Sequence, residues 1–117
     1  MTDCYCDYEP ARIYSSRVQR ARKEYICEEC GAKIPPGEQY ERAFGVWDFA
    51  SEFMTCERCL NLRQWVTNSV PCFCWAHGNM IEDAKETVDS AWYRAGDEAL
   101  GLRFGFLRKL YSVRRRP

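Results

Sequence analysis

Two cysteine pairs, Cys27-Glu28-Glu29-Cys30 and Cys56-Glu57-Arg58-Cys59, share the spacing C-x2-C. Structural zinc takes four thiolate or imidazole ligands in a tetrahedron, and a tight C-x2-C turn presents two of them together. Gly31, directly after the first pair, supplies the permissive backbone that such a zinc knuckle needs. The two pairs therefore predict one zinc site, whose ligands are Cys27, Cys30, Cys56 and Cys59.

The residues between the two pairs predict a β-hairpin. A turn is indicated by Ile34-Pro35-Pro36-Gly37, because proline fixes φ and glycine accepts a positive φ. Strand-forming residues dominate residues 39–47 and residues 51–55. Residues 47–50 then read as the connection between the two strands.

A helix is expected from Cys56 onward, since Leu62, Trp65 and Val66 recur at spacings that place them on one face. The pattern ends near Ser69, before Pro71. Knuckle, hairpin and helix in this order are typical of a treble-clef zinc finger. We expect this finger over residues 25–70 and a helical part over residues 71–117, in one compact α+β domain spanning residues 1–117 and stabilised by zinc.

Three other interpretations of the four cysteines remain open. They could be free buried thiols, although two equal spacings make this coincidental. They could form a redox dithiol, although one pair would suffice and no thioredoxin-like βαβ pattern surrounds either pair. They could also hold an iron–sulfur cluster, which uses four thiolates as well.

The other cysteines form two C-x-C pairs, Cys4-Tyr5-Cys6 and Cys72-Phe73-Cys74. We expect them to close a second four-thiolate zinc site that ties the N-terminus to the segment after the first helix. His77, the only histidine, follows Cys74 closely and could replace one thiolate or make a local hydrogen bond. The alternative is that the C-x-C cysteines are partly free thiols on a loop.

A second helix is predicted to begin at Asn79-Met80-Ile81-Glu82, which has capping-box spacing, and to end at Gly96. Its apolar stripe is expected to be core, with a groove for a partner as the alternative. The stripe consists of Ile81, Ala84, Val88, Ala91, Trp92 and Ala95.

Residues 100–113 carry both strand-like and helix-like patterns, and Gly101 and Gly105 disfavour a helix. We expect a short helix over residues 103–111. Four large apolar side chains would form a protein-binding patch if they are not all buried. These are Phe104, Phe106, Leu107 and Tyr111, with Arg103, Arg108 and Lys109 at the rim.

Composition limits the class of protein. The chain has 117 residues, of which 46 % are hydrophobic and 15 % aromatic, enough for a folded core. Its 17 basic and 17 acidic residues give a net charge of zero, which argues against binding of nucleic acid through the overall charge of the molecule. No apolar run approaches the roughly 20 residues of a membrane span. The polar N-terminus is unlike a signal peptide, so we expect a cytoplasmic protein. Because disulfides are rare in the cytoplasm, the eight cysteines then favour metal ligation over disulfides.

Eleven of the 17 basic residues nevertheless fall into two segments, residues 12–23 and residues 103–116. Such segments contact phosphates or an acidic partner, although the C-terminal one could simply aid solubility. The candidate partner-binding residues are Arg12, Arg17, Arg20, Arg22, Lys23, Arg108, Lys109, Arg114, Arg115 and Arg116.

Several stretches together resemble a family of small zinc-finger proteins of tailed bacteriophages and prophages. They are Arg22-Lys23-Glu24-Tyr25-Ile26 with the first cysteine pair, Ile34-Pro35-Pro36-Gly37-Glu38-Gln39-Tyr40, Gly45-Val46-Trp47-Asp48, the second pair, and Cys72-Phe73-Cys74-Trp75-Ala76-His77-Gly78. The resemblance covers nearly the whole chain. It implies a viral or prophage origin and action in the cytoplasm of a bacterial host, and it supplies no activity and no catalytic residues.

Catalytic motifs are not evident. An HNH-type nuclease needs a histidine base within the finger, and His77 lies outside it. Pro71-Cys72-Phe73-Cys74 lacks the spacing of a zinc deaminase, and the chain has neither a glycine-rich phosphate loop nor H-E-x2-H. A cysteine nucleophile paired with His77 is conceivable, but zinc-bound thiolates suit that role poorly.

We therefore expect a non-enzymatic protein with two zinc ions that binds a macromolecular partner and no small-molecule substrate. The favoured function is a regulator or inhibitor of a host protein complex, for example an anti-CRISPR protein that inhibits a bacterial defence complex. The alternative is a nucleic-acid-binding finger that uses the two basic segments.

Overall fold

The computed structural model describes residue 6, residues 8–95 and residues 100–114. These residues form an α+β fold, as expected from the sequence, and none of their helices is both long and apolar enough to cross a membrane. The elements in chain order are β1 (Ile13–Arg20), β2 (Tyr25–Ile26), β3 (Lys33–Ile34), β4 (Gln39–Val46), β5 (Ala50–Cys56), α1 (Glu57–Ser69), α2 (Met80–Ala95) and α3 (Leu100–Arg114).

The larger sheet is antiparallel, with the strand order β1-β4-β5. Its central strand, β4, pairs Gly45 with Tyr14 of β1 and with Ser51 of β5. The predicted hairpin is thus confirmed as β4 and β5, and residues 47–49 connect them. The edge strand β1 is a difference from the sequence prediction, because these residues were expected only as part of a basic segment.

The smaller sheet pairs β2 with β3 and lies around the first cysteine pair. A predicted turn follows it: the Pro35 carbonyl accepts a 3.2 Å hydrogen bond from the Glu38 amide, and Gly37 has φ 90°. Only glycine adopts this positive φ without strain, so the turn residue is dictated by geometry.

The three helices pack against one another and bury one face each. Helix α1 buries Cys59, Leu62 and Val66, and it ends at Ser69 because Val70, in extended conformation, precedes a proline. Helix α2 starts where the sequence predicts. Among the described side chains, the buried apolar residues are Met80, Ala84 and Val88 in α2 and Phe106, Leu110 and Val113 in α3.

Helix α3 is longer than the expected residues 103–111, and its two glycines do not break it. Gly105 lies where the Trp65 indole of α1 packs, since a Cβ built there would be 2.4 Å from a ring carbon of Trp65. The close approach of α1 and α3 offsets the low helix propensity of this glycine.

Candidate metal centre

The structure brings the four cysteines of the two C-x2-C pairs together, with all sulfur atoms within 4.8 Å of one another. The Sγ atoms of Cys27 and Cys59 are 3.8 Å apart, and those of Cys30 and Cys56 are 3.7 Å apart. A tetrahedral ion that binds sulfur at about 2.3 Å separates its ligands by roughly 3.8 Å. This cluster can therefore hold a metal ion with little movement.

Three elements position these sulfurs. The first pair lies in the turn between β2 and β3, where the Gly31 amide donates to the Cys27 carbonyl at 2.9 Å and Gly31 has φ 73°. Cys56 ends β5 and is the N-cap of α1, and Cys59 lies in the first helical turn. The Cys56 amide donates to the Cys27 sulfur at 3.3 Å, which fixes the hairpin end against the turn.

Without a bound ion, the four thiols of the cluster differ in pKa. Hydrogen bonds from Cys30, Cys56 and Cys59 lower the Cys27 pKa. The hydrogen bond with Cys27 raises the pKa of Cys30, but the hydrogen bonds with Cys56 and Cys59 outweigh it and lower this pKa to about 6. The pKa values of Cys56 and Cys59 are raised, and the hydrogen bond with Cys27 is the largest cause for both. Four sulfurs this close ionise together only when a positive charge lies between them, which a bound metal provides.

Glu29, inside the first cysteine pair, links this cluster to α2. Its carboxylate accepts hydrogen bonds from the Gly78 amide and, at 3.1 Å, from the Met80 amide at the helix start. Burial raises its pKa, and the two amides act in the opposite direction. A carboxylate at a helix N-terminus satisfies amides that have no partner within the helix. The sequence analysis missed this residue, since its position between two ligands gives no signal of a distant contact.

The predicted capping box of α2 is therefore replaced. Asn79 precedes the helix as expected, but its side-chain amide donates to Asp83 at 2.9 Å, and Glu82 is exposed. Asp83 also accepts from the Ala76 amide at 3.0 Å.

A second sulfur cluster comprises Cys6, Cys72 and Cys74, whose Sγ atoms also lie within 4.8 Å of one another. Here the structure differs from the predicted set of free thiolates: Cys6 and Cys74 form a disulfide, and Cys72 is disulfide-bonded as well. Reduced, these cysteines could hold a metal ion, because their sulfurs are already gathered. The predicted fourth ligand, Cys4, lies outside the described residues.

His77 belongs to neither cluster of described metal-ligating side chains. Its Nε2 lies 2.8 Å from the Tyr14 hydroxyl oxygen, and its ring stacks on Phe53 with centroids 4.6 Å apart. Its Nδ1 is buried and has no hydrogen-bond partner among the described residues. The interpretation of His77 as a local hydrogen-bonding residue fits this placement better than the interpretation as a metal ligand.

The candidate partner-binding residues fall on two separate elements. Those of the first segment, Arg12, Arg17, Arg20, Arg22 and Lys23, are exposed on or beside β1. In α3, Arg108 is exposed and Lys109 half-buried, and Arg114 ends the helix. Arg115 and Arg116 lie outside the described residues. Because β1 packs on β4 whereas α3 packs on α1 and α2, the two segments have different neighbours.

No protein-family model, curated protein or solved structure matches the chain. The resemblance to phage proteins accordingly stays a prediction from the sequence.

Proposed function

We propose that the chain is a non-catalytic zinc protein that acts by binding another protein. Its scaffold is a treble-clef finger over residues 25–70, in which the knuckle lies between β2 and β3 and α1 carries the last ligand. Zinc is the metal proposed for Cys27, Cys30, Cys56 and Cys59, because its bond length to sulfur suits the separations of 3.7 and 3.8 Å. An iron–sulfur cluster would need more room between the thiolates.

The observation that carries the partner proposal is an exposed apolar face on α3. Phe104, Leu107 and Tyr111 are 65 %, 49 % and 62 % exposed, and their spacing places them along one side of the helix. We call these three residues the α3 face. Arg103 and Arg108 are exposed beside it. Aromatic anchors with an arginine rim are enriched in protein interfaces, and the positive rim favours an acidic partner surface.

A binding role also accounts for the reactive groups. A site with four thiolates leaves no open coordination position for a substrate. Burial lowers the pKa of His77, and its Nε2 is engaged by Tyr14. The groups best suited to catalysis are thus occupied in structural contacts.

For the second cluster we propose two states. Under oxidising conditions Cys6 and Cys74 are joined, and Cys72 is disulfide-bonded as well. Reduction of each disulfide takes up two electrons and two protons and returns two thiols, and the thiols of Cys4, Cys6, Cys72 and Cys74 lose their protons when they bind a second zinc. Zinc content measured with and without reductant tests this: two ions per reduced chain and one per oxidised chain are expected. One ion in both samples would contradict the second state.

The resemblance to phage proteins makes a bacterial protein complex the proposed partner, with this chain as its regulator or inhibitor. The test is a pull-down from bacterial lysate with the tagged full chain, with and without nuclease. A stoichiometric protein that survives nuclease is expected, and it should be lost with the variant Phe104→Ser/Leu107→Ser/Tyr111→Ser.

The matched control is Ile13→Ser/Val18→Ser, which removes two equally exposed apolar side chains from β1. Retention of the partner by the α3 variant would overturn the assignment of the α3 face. Recovery of nucleic acid alone, lost on nuclease treatment and at high salt, would favour the two basic segments instead.

A further inference from the structure

A cavity of about 730 Å³ lies between the larger sheet and the segments that precede β1 and α2. Six aromatic side chains line it, contributed by the N-terminal segment, by β1, by the β4–β5 hairpin and by the segment before α2. They are Tyr8, Tyr14, Trp47, Phe53, Trp75 and His77. We call this space the aromatic cavity; none of its lining residues belongs to α3.

The rings of the aromatic cavity face in two perpendicular directions. Phe53 and His77 are stacked, with an interplanar angle of 7°. The Trp47 ring stands at 80° to Phe53, with centroids 6.0 Å apart, and the Trp75 ring stands at 85° to His77, with centroids 4.8 Å apart. Both indole rings are therefore nearly perpendicular to the Phe53–His77 stack, so aromatic rings in two orientations line the cavity.

Hydrogen bonds and a disulfide hold the segments that line the aromatic cavity in place. The Trp47 indole N–H donates to the Glu9 carbonyl at 3.0 Å, and the Tyr8 hydroxyl donates to Asp83 at 2.7 Å. The Cys6–Cys74 disulfide and a 2.7 Å bond from the Arg12 amide to the Val46 carbonyl fasten the two ends of the N-terminal segment. Such preorganisation lowers the entropy lost when a ligand binds.

The charges around the aromatic cavity favour a cation. Glu9 is the only carboxylate among the described lining residues, and none of them is lysine or arginine. The nearby Arg63 stacks on Trp75 at 4.4 Å, and its charge is matched by two hydrogen bonds to the Glu41 carboxylate. The buried Nδ1 of His77 has no partner among the described residues, so an imidazolium would leave a charged N–H unsatisfied.

We propose that the aromatic cavity binds a methylated ammonium group, which would occupy the space that these rings line, with Glu9 at the rim. Ring quadrupoles attract a cation to their faces, and this attraction is strongest for tryptophan. Methylation suits the site because it removes N–H donors, and most of the cavity wall is aromatic or aliphatic surface that cannot accept a hydrogen bond. Two sources share this chemistry, a small quaternary ammonium compound and a methylated lysine of a protein.

The first experiment titrates the full chain, by calorimetry, with choline and with its uncharged isostere 3,3-dimethylbutan-1-ol. Choline should bind at least about tenfold more tightly, because only the charged group gains cation–π attraction. Two results would overturn the proposal. One is equal affinity for choline and its uncharged isostere. The other is that neither of these compounds nor a trimethyllysine peptide binds in the millimolar range.

A second pair of titrations identifies the source. A peptide with one trimethyllysine is compared with the same unmethylated peptide. Preference for the trimethylated peptide over choline identifies a methylated protein as the ligand, and preference for choline identifies a small ammonium compound. A peptide that binds equally with and without methylation would contradict the proposal that the aromatic cavity recognises a methylated ammonium group.

Variants then locate the site. Trp47→Leu should weaken binding of the preferred probe about tenfold, whereas Phe49→Leu, at a residue 82 % exposed in the same loop, should leave it unchanged. Tyr14→Leu, on the edge strand, supplies a second ring deletion should Trp47→Leu fail to fold.

Glu9→Gln should weaken binding roughly threefold and Asp89→Asn, on the exposed side of α2, should not. Binding that is unchanged in both ring variants would place the cation elsewhere and overturn the assignment.

Discussion

Thr55 carries a buried hydroxyl oxygen with no hydrogen-bond partner among the described residues. It lies on β5, opposite Glu41 of β4. A buried polar group without a partner costs free energy, and valine has the same shape without the hydroxyl. We expect Thr55→Val to raise the free energy of unfolding by about 1 kcal/mol in urea denaturation. A loss of stability would instead indicate that the hydroxyl is hydrogen-bonded in solution.

Gly105 and Gly101 of α3 are expected to respond in opposite ways to alanine. A Cβ at Gly105 would meet the Trp65 ring at 2.4 Å, whereas a Cβ at Gly101 meets nothing within 4 Å. Gly105→Ala should therefore destabilise the protein by about 1–3 kcal/mol through overpacking. Gly101→Ala should stabilise it by about 0.5 kcal/mol through helix propensity. Thermal unfolding of both variants checks this, and equal effects would argue against the close approach of α1 and α3.

At the scale of elements, α1 is joined to β4 by the pair Arg63–Glu41. Both side chains are largely buried, at 15 % and 9 % exposure, and their nearest atoms are 2.5 Å apart. Arg63→Met leaves a carboxylate with little access to water, so we expect a loss of about 3 kcal/mol in unfolding free energy. Removing both partners with Arg63→Met/Glu41→Leu should cost clearly less than the sum of the single changes.

The exposed pair Arg42–Glu52, on β4 and β5, is the control for this cycle. Its atoms lie 2.6 Å apart, but the side chains are 35 % and 47 % exposed. Water screens such a pair, so Arg42→Met should change stability by less than about 1 kcal/mol. Similar losses for both arginines would mean that burial does not determine the strength of the Arg63 pair.

The elements that sequence analysis predicted well are those with local signals. The cysteine spacing, the turn at Gly37 and the buried Ala84 and Val88 of the predicted α2 stripe each depend on neighbours a few residues away. The side chains of Trp92 and Ala95, also in that stripe, lie outside the part of the chain that the structure describes. β1 was missed because nearly all its side chains are exposed, so no alternation marks it, and backbone pairing with β4 leaves no trace in side-chain type. The extent of α3 was missed because Gly105 is explained only by Trp65, which lies far away in sequence.

The candidate sites divide in the same way. The first metal cluster follows from spacing, since each C-x2-C pair sets the distance between two sulfurs. The aromatic cavity collects rings from residue 8 to residue 77, and no spacing relates them. Such a site depends on the tertiary fold and becomes visible only in three dimensions.

At the scale of the whole molecule, the cluster of Cys27, Cys30, Cys56 and Cys59 connects the turn between β2 and β3 with β5 and α1, and Glu29 connects it to the start of α2. The ion proposed for this cluster would hold these elements together. Removing the ion with a chelator should therefore unfold most of the chain. A structural zinc contributes an apparent ~10 kcal/mol or more, which is comparable with the total stability of a small domain. Loss of the helical circular-dichroism signal on chelation, restored by added zinc, is expected. An unchanged spectrum would contradict a structural role.

Acid should have the same effect as chelation. The pKa of Cys30 is lowered to about 6 and that of Cys27 is lowered as well, so folding favours their thiolate forms. A lowered pKa contributes stability that is present at higher pH and is lost as the pH falls through the folded value. We expect the metal to stay bound at pH 7 and to be released as the pH falls, because protons compete with the ion for the thiolates; a zinc-indicator titration would register the release. Release on raising the pH from 7 would contradict the assignment.

The disulfide between Cys6 and Cys74 spans a sequence separation of 68 residues and turns most of the chain into a covalent ring. The ring contains the larger sheet and α1, whereas α2 and α3 lie outside it. A protease that cuts after Phe49, which is 82 % exposed, would leave residues 6–49 attached to the rest of the chain. The two fragments would migrate as one band on a denaturing gel and would separate only after reduction, so a single nick reports the oxidation state of the second cluster.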